Sequence, residues 1–350
     1  MRLRSRLANA LVAAAGVAAA LALAEAGTRL FFPQPLSGSW LVYGPQGILM
    51  NRAGGPPTRN ELPLHRVVHY AFNSHNQRGR EEPDPAAARV LVLGDSFTFG
   101  YGLAFDDTYV SGLQRRLDAR RTVPRVQLLN AATGGWGTAD ELAYLEAFGD
   151  GLGLSAVVVF VSFGDPSRSI DQGLFDIRPD RQGLTPVDRS ARESVLKRML
   201  EGNRVYAFLL EHSQFLQLVR VAAVNAAAKA PAGGASAAAD DPAQQELFRL
   251  MFRRMAAWCA ARDLPLTVLT TGWPIFRFPW LDPMMREEGI HFRDLHDPVA
   301  LAIGPDGLED HIIALDGHPN ERGARVIEAA AWPILNERLT ALSPRQPGRR

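Results

Sequence analysis

The stretch VLVLGDSFTFGYG, residues 90–102, is the part of the sequence that decides the fold. Its first four residues are apolar, as in a strand buried in the middle of a parallel sheet. Gly94 follows, and glycine permits a sharp turn at the end of such a strand. Ser96 is then predicted to lie at the carboxyl edge of the sheet, where a helix begins and its N–H is free of helical hydrogen bonds. This is the usual position of a nucleophile, and also that of an ordinary helix cap.

A candidate base for this serine lies near the other end of the sequence. Residues 316–320 read DGHPN and precede a predicted final helix from Gly323 to Leu339. A loop there can bring His318 to Ser96, with Asp316 holding the imidazole in the tautomer that accepts a proton. Asp, Gly and Pro also favour turns, so the segment alone is compatible with a surface loop. The two motifs together predict a Ser, Asp, His arrangement in that chain order.

At these residues the sequence resembles the SGNH (GDSL-type) hydrolase family, over residues 67–340. Residues 70–79, YAFNSHNQRG, look like the lead-in of a membrane-tethered bacterial branch of that family, and GDSFTFGYG looks like its first block. Residues 130–138, NAATGGWGT, are similar to the second block, and residues 316–320 to the fifth.

The resemblance implies a flavodoxin-like three-layer α/β/α sandwich with a parallel sheet, the SGNH hydrolase fold. It also implies site roles: Ser96 is the expected nucleophile, His318 the base, and the backbone N–H groups of Ser96 and Gly135 the oxyanion hole. Gly135 and the glycine before it are also compatible with a simple loop bend.

The sequence departs from the family's third block, in which an Asn side chain completes the oxyanion hole. The predicted strand Ala156 to Val161 is followed here by SFGDP, with Gly164 in the place of that Asn. Loss of one such donor typically costs about 3 kcal/mol. Ser162 and Asn130 are the candidate substitute donors.

A second departure concerns the acid. The family's acid lies three residues before the histidine, where this chain has Leu315, so Asp316 is the best replacement. In the third block, Asp165 is expected to pair with Arg168 at the surface.

Composition indicates a folded enzyme preceded by an N-terminal extension. The chain has 350 residues, of which 47% are hydrophobic, enough for one large α/β core. A net charge of +1 argues against a dedicated nucleic-acid binder. Cys259 is the single cysteine, which excludes an intrachain disulfide, and it is predicted on the apolar side of a helix. No metal-ligand cluster is evident, and no cofactor is expected.

Residues 1–32 are predicted to be a signal anchor or a signal peptide. Arginines at positions 2, 4 and 6 precede an uncharged run from Leu7 to Ala24, an arrangement that leaves the N-terminus in the cytoplasm. Glu25 and Arg29 are spaced to pair near the interface. Small residues at A-x-A spacing end at Ala24 and Ala26, so cleavage and secretion are the alternative to an uncleaved cell-membrane anchor. Both place Ser96 on the extracytoplasmic, periplasmic side; a buried helix of a soluble protein is the remaining interpretation.

The rest of the chain is predicted to comprise a Pro/Gly-rich stalk and lead-in (33–88), one hydrolase-like domain (89–340) with a helical insertion (165–245), and a disordered tail (341–350). The insertion is predicted to contain a helical cap beside the sheet edge, and a flexible loop from Ala226 to Asp241. Strands and helices alternate along the domain, which favours a parallel sheet with helices on both faces. They are predicted at strand Val90–Leu93, helix Tyr109–Arg120, strand Val126–Asn130, helix Ala139–Phe148, strand Ala156–Val161, helix Glu246–Arg262 and strand Leu266–Thr270.

The sequence thus predicts a membrane-tethered, extracytoplasmic serine esterase with a Ser96–His318–Asp316 triad. Expected substrates are small-molecule, glycan or lipid esters, such as acetylated glycans, and no nucleic-acid partner is expected. An O-acyltransferase with the same triad is one alternative, because only the acceptor that attacks the acyl-enzyme differs. A catalytically attenuated binding or assembly protein of the cell envelope is the other.

Overall fold

The computed structural model describes residues 2–121, 124–190, 203–227, 241–275, 277–340 and 342–345. The described residues divide between two compact units. Unit 1 comprises Met1–Ser39, Thr58–Val67 and Val195–Ala232, and unit 2 comprises Trp40–Pro57, Val68–Ser194 and Gly233–Arg350.

The strands are, in chain order, β1 (Leu41–Tyr43), β2 (Leu49–Asn51), β3 (Thr58–Leu62), β4 (Arg66–Tyr70), β5 (Ala88–Gly94), β6 (Val126–Asn130), β7 (Leu154–Val161), β8 (Phe175–Ile177), β9 (Leu184–Pro186), β10 (Leu266–Thr270) and β11 (His291–Arg293). The helices are α1 (Arg2–Phe31), α2 (Ser96–Phe99), α3 (Tyr109–Ala119), α4 (Thr138–Phe148), α5 (Asp165–Gln172), α6 (Arg204–His212), α7 (Gln214–Ala227), α8 (Pro242–Ala260), α9 (Leu281–Glu287), α10 (His296–Ile303) and α11 (Glu321–Arg338).

Unit 2 is built on a five-stranded parallel sheet with the order β11-β10-β7-β5-β6. Every residue of β5 and β7 is buried, which explains why residues 90–93 and 156–161 are apolar runs without polar alternation. Successive side chains point to opposite faces: Leu91 and Val157 pack in one core with α4 and α8, whereas Val92 and Val158 pack in another with α3 and α11. The predicted three-layer α/β/α sandwich is therefore confirmed.

The strand order contains one switch point, between β5 and β7. Numbered along the chain, the five strands of the sheet run 2-1-3-4-5, and the chain moves outward in both directions from this adjacent pair. Ligands of open α/β sheets bind beyond the carboxyl ends of the strands at such a point. Ser96 follows β5 and Ser162 follows β7, so both lie at this edge.

The predicted strands and helices of unit 2 are confirmed, and one strand is added to them. The edge strand β11 was not predicted, because three residues carry too short a pattern to distinguish a strand from a loop. The disordered tail (341–350) stays a prediction; of its described residues, 342–345, the Ser343 carbonyl accepts a 2.6 Å hydrogen bond from Ser155 Oγ, and Arg345 donates to the carbonyls of Arg262 and Asp263. The predicted flexible loop lies outside the described residues between 228 and 240.

Cys259 is buried in the core of unit 2, as predicted. Burial raises the pKa of its thiol to about 12, although the charge of Arg262 opposes this rise. The thiol is therefore neutral and unreactive at physiological pH.

Unit 1 contains a helix that is long and apolar enough to cross a membrane. The stretch Arg6–Phe31 has 26 residues, and none of its most apolar part is buried. At 1.5 Å per residue it is about 39 Å long, more than the ~30 Å thickness of a bilayer core. Near its end, Arg29 Nε and Glu25 Oε1 pair at 2.7 Å, as the sequence predicts. A membrane anchor and a signal sequence both fit these properties.

Candidate active site

The turn after β5 presents Ser96 at the first position of α2. Gly94 has a φ of 157°, and a Cβ there would lie 2.1 Å from Thr98 Oγ1, so this position requires glycine. Asp95 caps α2, because its Oδ1 accepts a 2.9 Å hydrogen bond from the Phe97 N–H. Asp95 is fully buried, and Ser96 is 6% exposed. The capping interaction therefore belongs to Asp95, and the Ser96 hydroxyl is left for other contacts.

The Ser96 hydroxyl meets His318, although 222 positions separate the two residues in the chain. The distance from His318 Nε2 to Ser96 Oγ is 2.8 Å. On the other side of the ring, His318 Nδ1 lies 2.6 Å from Asp316 Oδ1. The three predicted residues thus form one continuous hydrogen-bonded chain. With the proton on Nδ1 held by Asp316, Nε2 can accept the proton of the serine hydroxyl.

The predicted acid, Asp316, and the predicted base, His318, belong to one short loop that is closed by its own backbone hydrogen bonds. Ile313 N–H donates to the His318 carbonyl at 2.8 Å, and the Ile313 carbonyl accepts from the N–H groups of Asp316 and Gly317, both at 3.1 Å. Leu315, at the position of the family's acid, has a φ of 64° and is 81% exposed. The loop therefore turns Leu315 outward and Asp316 towards the imidazole.

Asp316 is held as a carboxylate. Partial burial opposes its ionisation, but hydrogen bonding to His318 and the charge of that ring outweigh burial and lower the pKa of Asp316. A carboxylate in this place stabilises the imidazolium that forms when His318 takes a proton. Two aromatic rings also flank the imidazole, with centroids 5.3 Å (Phe97) and 4.8 Å (Tyr101) from it.

Two backbone N–H groups are available for an oxyanion. Ser96 is the first residue of α2, and the N–H at such a position has no helical acceptor. Gly135 has a φ of 85° in a turn that Trp136 N–H closes onto the Thr133 carbonyl at 3.3 Å. Within the described part of the chain, the Gly135 N–H has no backbone acceptor. The expectation that these two N–H groups act together remains a proposal.

The two predicted substitute donors are both engaged elsewhere. Ser162 Oγ lies 2.6 Å from Asp95 Oδ2 and 3.1 Å from Asp165 Oδ1, so its proton serves these carboxylates. Asn130 Nδ2 donates to the Thr98 carbonyl at 3.0 Å, and its Oδ1 accepts from Ala132 N–H at 3.1 Å. These side chains hold the ends of β6 and β7 in place.

Arg168 was not identified from the sequence as a site residue, and its predicted surface pairing with Asp165 is wrong. Asp165 is fully buried, and the closest ion pair of Arg168 is with Asp95, at 2.7 Å from Nη1 to Oδ2. Arg168 Nη1 also lies 3.3 Å from the Trp136 carbonyl. The guanidinium therefore joins the residue before Ser96 to the residue after Gly135.

The same guanidinium occupies the space beside Gly164. A Cβ at position 164 would lie 2.7 Å from Arg168 Cζ and 2.9 Å from its Nη1. Arg168 and a side chain at position 164 thus compete for the same space. The one sequence signal for this competition is the order Gly-Asp-Pro-Ser-Arg, residues 164–168. It places positions 164 and 168 about one helical turn apart, so that they lie on the same side of a helix.

Carboxyl groups cluster in the core near this ion pair. The side chains of Asp95, Asp140, Glu141 and Asp165 are all fully buried. Burial raises the pKa of Glu141 well above its ordinary value of 4.5, and the charges of Asp165, Asp95 and Asp140 add to the effect. Folding therefore favours the protonated form of Glu141 over its carboxylate, relative to the unfolded chain.

We expect Glu141→Gln to stabilise the protein increasingly as the pH rises. Because folding raises this pKa, the wild-type protein loses stability as the pH increases above 4.5, by up to about 1.4 kcal/mol per pH unit. The neutral amide removes that dependence. Melting temperatures of both proteins in detergent, at about pH 5 and about pH 8, measure the effect. An equal difference in melting temperature at the two pH values would contradict it.

No protein-family model and no curated protein matches the chain. Solved structures similar to it include esterases. The psychrotrophic esterase EstA from Pseudoalteromonas sp. is 13% identical, with 72% of this chain and 98% of that chain covered and a TM-score of 0.40. TesA is 17% identical, with 71% and 98% covered and a TM-score of 0.42. A member of the lipolytic G-D-S-L family from Veillonella parvula is 13% identical, with 71% and 98% covered and a TM-score of 0.34.

Proposed function

We propose that this protein is a membrane-anchored serine hydrolase that cleaves an ester outside the cytoplasm. One observation carries the proposal: His318 bridges Ser96 Oγ at 2.8 Å and Asp316 Oδ1 at 2.6 Å. A protein that only binds or assembles has no need for a base in contact with a buried serine at the switch point of the sheet. The contact between His318 and Ser96 therefore favours an enzyme over a catalytically attenuated protein of the cell envelope.

The geometry supports acyl transfer through a covalent intermediate. Ser96 Oγ attacks the ester carbonyl while its proton passes to His318 Nε2, and the N–H groups of Ser96 and Gly135 stabilise the oxyanion. The tetrahedral intermediate then collapses, and the leaving alcohol takes the proton from Nε2. Water, activated by the same nitrogen, attacks the acyl-enzyme and releases the acid and free Ser96. Expected substrates are acetylated glycans or lipid esters; a sugar acceptor in place of water would give an O-acyltransferase.

Hydrogen bonds within unit 1 support an anchor that remains attached. Glu25 Oε1 accepts from the N–H of Gln214 at 3.0 Å, and Glu25 Oε2 accepts from Ser213 Oγ at 2.8 Å and the Phe215 N–H at 3.0 Å. Glu25 thus caps the first turn of α7, which otherwise leaves its N–H groups unsatisfied. Cleavage after Ala26 would remove Glu25, and cleavage after Ala24 would leave it as the first residue of the chain, without the helix that holds it in place. This is the reason for preferring an uncleaved anchor over a secreted protein.

The proposal is tested with a fluorophosphonate probe on the full-length protein in detergent. The probe needs only an activated serine, so no substrate has to be known. We expect one adduct on the wild-type protein, detected by intact mass, and none on Ser96→Ala. No adduct on folded wild-type protein would contradict the proposal. Once labelling is established, product analysis of acetylated esters with and without a sugar acceptor distinguishes hydrolysis from transfer.

A further inference from the structure

Helix α6 of unit 1 has an apolar stripe that faces away from the rest of the unit. Val205, Phe208 and Leu209 are 66%, 59% and 41% exposed, whereas Leu210 is fully buried. The three exposed residues have the i, i+3, i+4 spacing that places them on one face of a helix. A helix of a soluble protein turns such a face inward. This one turns it outward.

The opposite side of α6 is used for packing within the unit. Glu211 Oε1 accepts a 3.1 Å hydrogen bond from the Arg59 N–H, and the Leu210 carbonyl accepts from Gln217 Nε2 of α7 at 2.5 Å. The outward orientation of the stripe is therefore fixed by contacts on the other face. Val219 of α7 is a further exposed apolar residue, 47% accessible.

Both helices are fastened to the C-terminal turns of α1. Besides the Glu25 cap of α7, Arg29 Nη2 donates to the carbonyl of His212, the last residue of α6, at 2.7 Å. Leu30, Phe31 and Phe32 follow immediately and are 76%, 73% and 63% exposed. The stripe thus adjoins the part of α1 at which an anchored chain would leave the bilayer.

We propose that the exposed stripe of α6, together with the end of α1, lies in the interface of the lipid bilayer. The stripe is continuous with α1, because hydrogen bonds hold α6 and α7 to the end of this apolar helix, whose own surface is uncovered. Helices of this kind bury their apolar face at the boundary between headgroups and acyl chains. This inference rests on the proposal that α1 is a retained anchor, and it is independent of the chemistry at Ser96.

The test uses the full-length protein with Cys259→Ala, so that single cysteines can carry a nitroxide label. Labels are placed in turn at positions 205–212, and the protein is reconstituted into vesicles of phosphatidylethanolamine and phosphatidylglycerol. Collision rates are measured with oxygen, which concentrates in lipid, and with a water-soluble nickel chelate. We expect oxygen maxima and nickel minima at 205, 208, 209 and 212, because position 212 shares the face of the stripe and its ring stacks on Phe208.

Two other results would overturn the inference. If the oxygen and nickel rates rise and fall together along α6, the stripe faces water. If both rates are low at 205, 208 and 209, another protein surface or a second copy covers the stripe. A label at Leu11, which is 69% exposed on α1, serves as the control. Lipid exposure at Leu11 without lipid exposure on α6 refutes the inference alone, and water exposure at Leu11 refutes the anchor as well.

Discussion

Replacement of His318 by alanine is expected to reduce acylation of Ser96 by about 10⁴-fold or more. The reason is the 2.8 Å contact between Nε2 and Ser96 Oγ: without it, no described group is hydrogen-bonded to the serine hydroxyl to take its proton. The measurement is the second-order rate constant for fluorophosphonate labelling. Because the imidazole is partly exposed and its neighbours Phe97 and Tyr101 remain, we expect the variant to fold.

Asp316→Asn provides the matched variant for His318→Ala. The amide keeps the shape of the acid but removes the charge that fixes the tautomer, and such a change can cost about 10⁴-fold. The lowered pKa of Asp316 adds a pH test: stability due to this carboxylate is present above its ordinary pKa and is lost as the pH falls through the lower folded value.

Wild-type labelling rates in His318→Ala would show that Ser96 is activated by another group, and would refute the triad.

Arg168→Ala is expected to have the second largest effect, on both stability and rate. Removing the guanidinium leaves the fully buried Asp95 carboxylate without its closest cation, and breaking a buried ion pair costs about 3–5 kcal/mol. The rate should also fall about 100-fold, because Arg168 fixes the Asp95 and Trp136 segments relative to each other. Arg168 is therefore a positioning residue, which acts on Ser96 through Asp95 and Trp136.

A purely structural role for Arg168 is distinguished by three readouts, each taken at a temperature at which the variant is folded. The maximal labelling rate should fall more than probe affinity does. Added guanidinium ion, below denaturing concentrations, should restore part of that rate. Arg168→Lys should recover stability, since one ammonium can still pair with Asp95, but not the full rate. Normal labelling by folded Arg168→Ala would refute the positioning role.

The competition at position 164 gives a double variant. In the wild-type background, Gly164→Asn would push the guanidinium away from Asp95 and should lower the labelling rate. In the Arg168→Ala background the space is open, so an Asn side chain at position 164 can supply the donor expected from the third block and should raise the rate of that variant. If Gly164→Asn instead raises the rate of the wild-type protein, the guanidinium can leave this space without loss of rate, and the competition is refuted.

Local patterns were sufficient to predict four of the five strands of the sheet and the Ser96 turn. Residues 90–93 of β5 and 156–161 of β7 are continuous apolar runs, which are typical of buried strands in a parallel sheet. Gly94 is required by a contact with Thr98, only four residues away, so the turn too is determined locally. His318 was identified from a short motif because its loop is closed within six residues, from Ile313 to His318.

The partners of the site could not be predicted, because they depend on contacts between distant segments. Arg168 and Ser162 both contact Asp95, from which they are 73 and 67 positions away in the sequence. Contacts at such separations produce no local sequence pattern. The same is true of the cap on α7, where Glu25 and Gln214 are 189 positions apart. A helical cap over Ser96 stays a prediction.

The loop from Ile313 to His318 carries both acid and base, and it is closed without any contribution from Ser96. If this loop moved away from the sheet, the Asp316–His318 hydrogen bond would travel with it intact. A low-field proton resonance from that bond would then persist in an inactive molecule. Such a signal reports that the loop is folded, whereas only a reagent that reacts with the serine reports that the loop is docked.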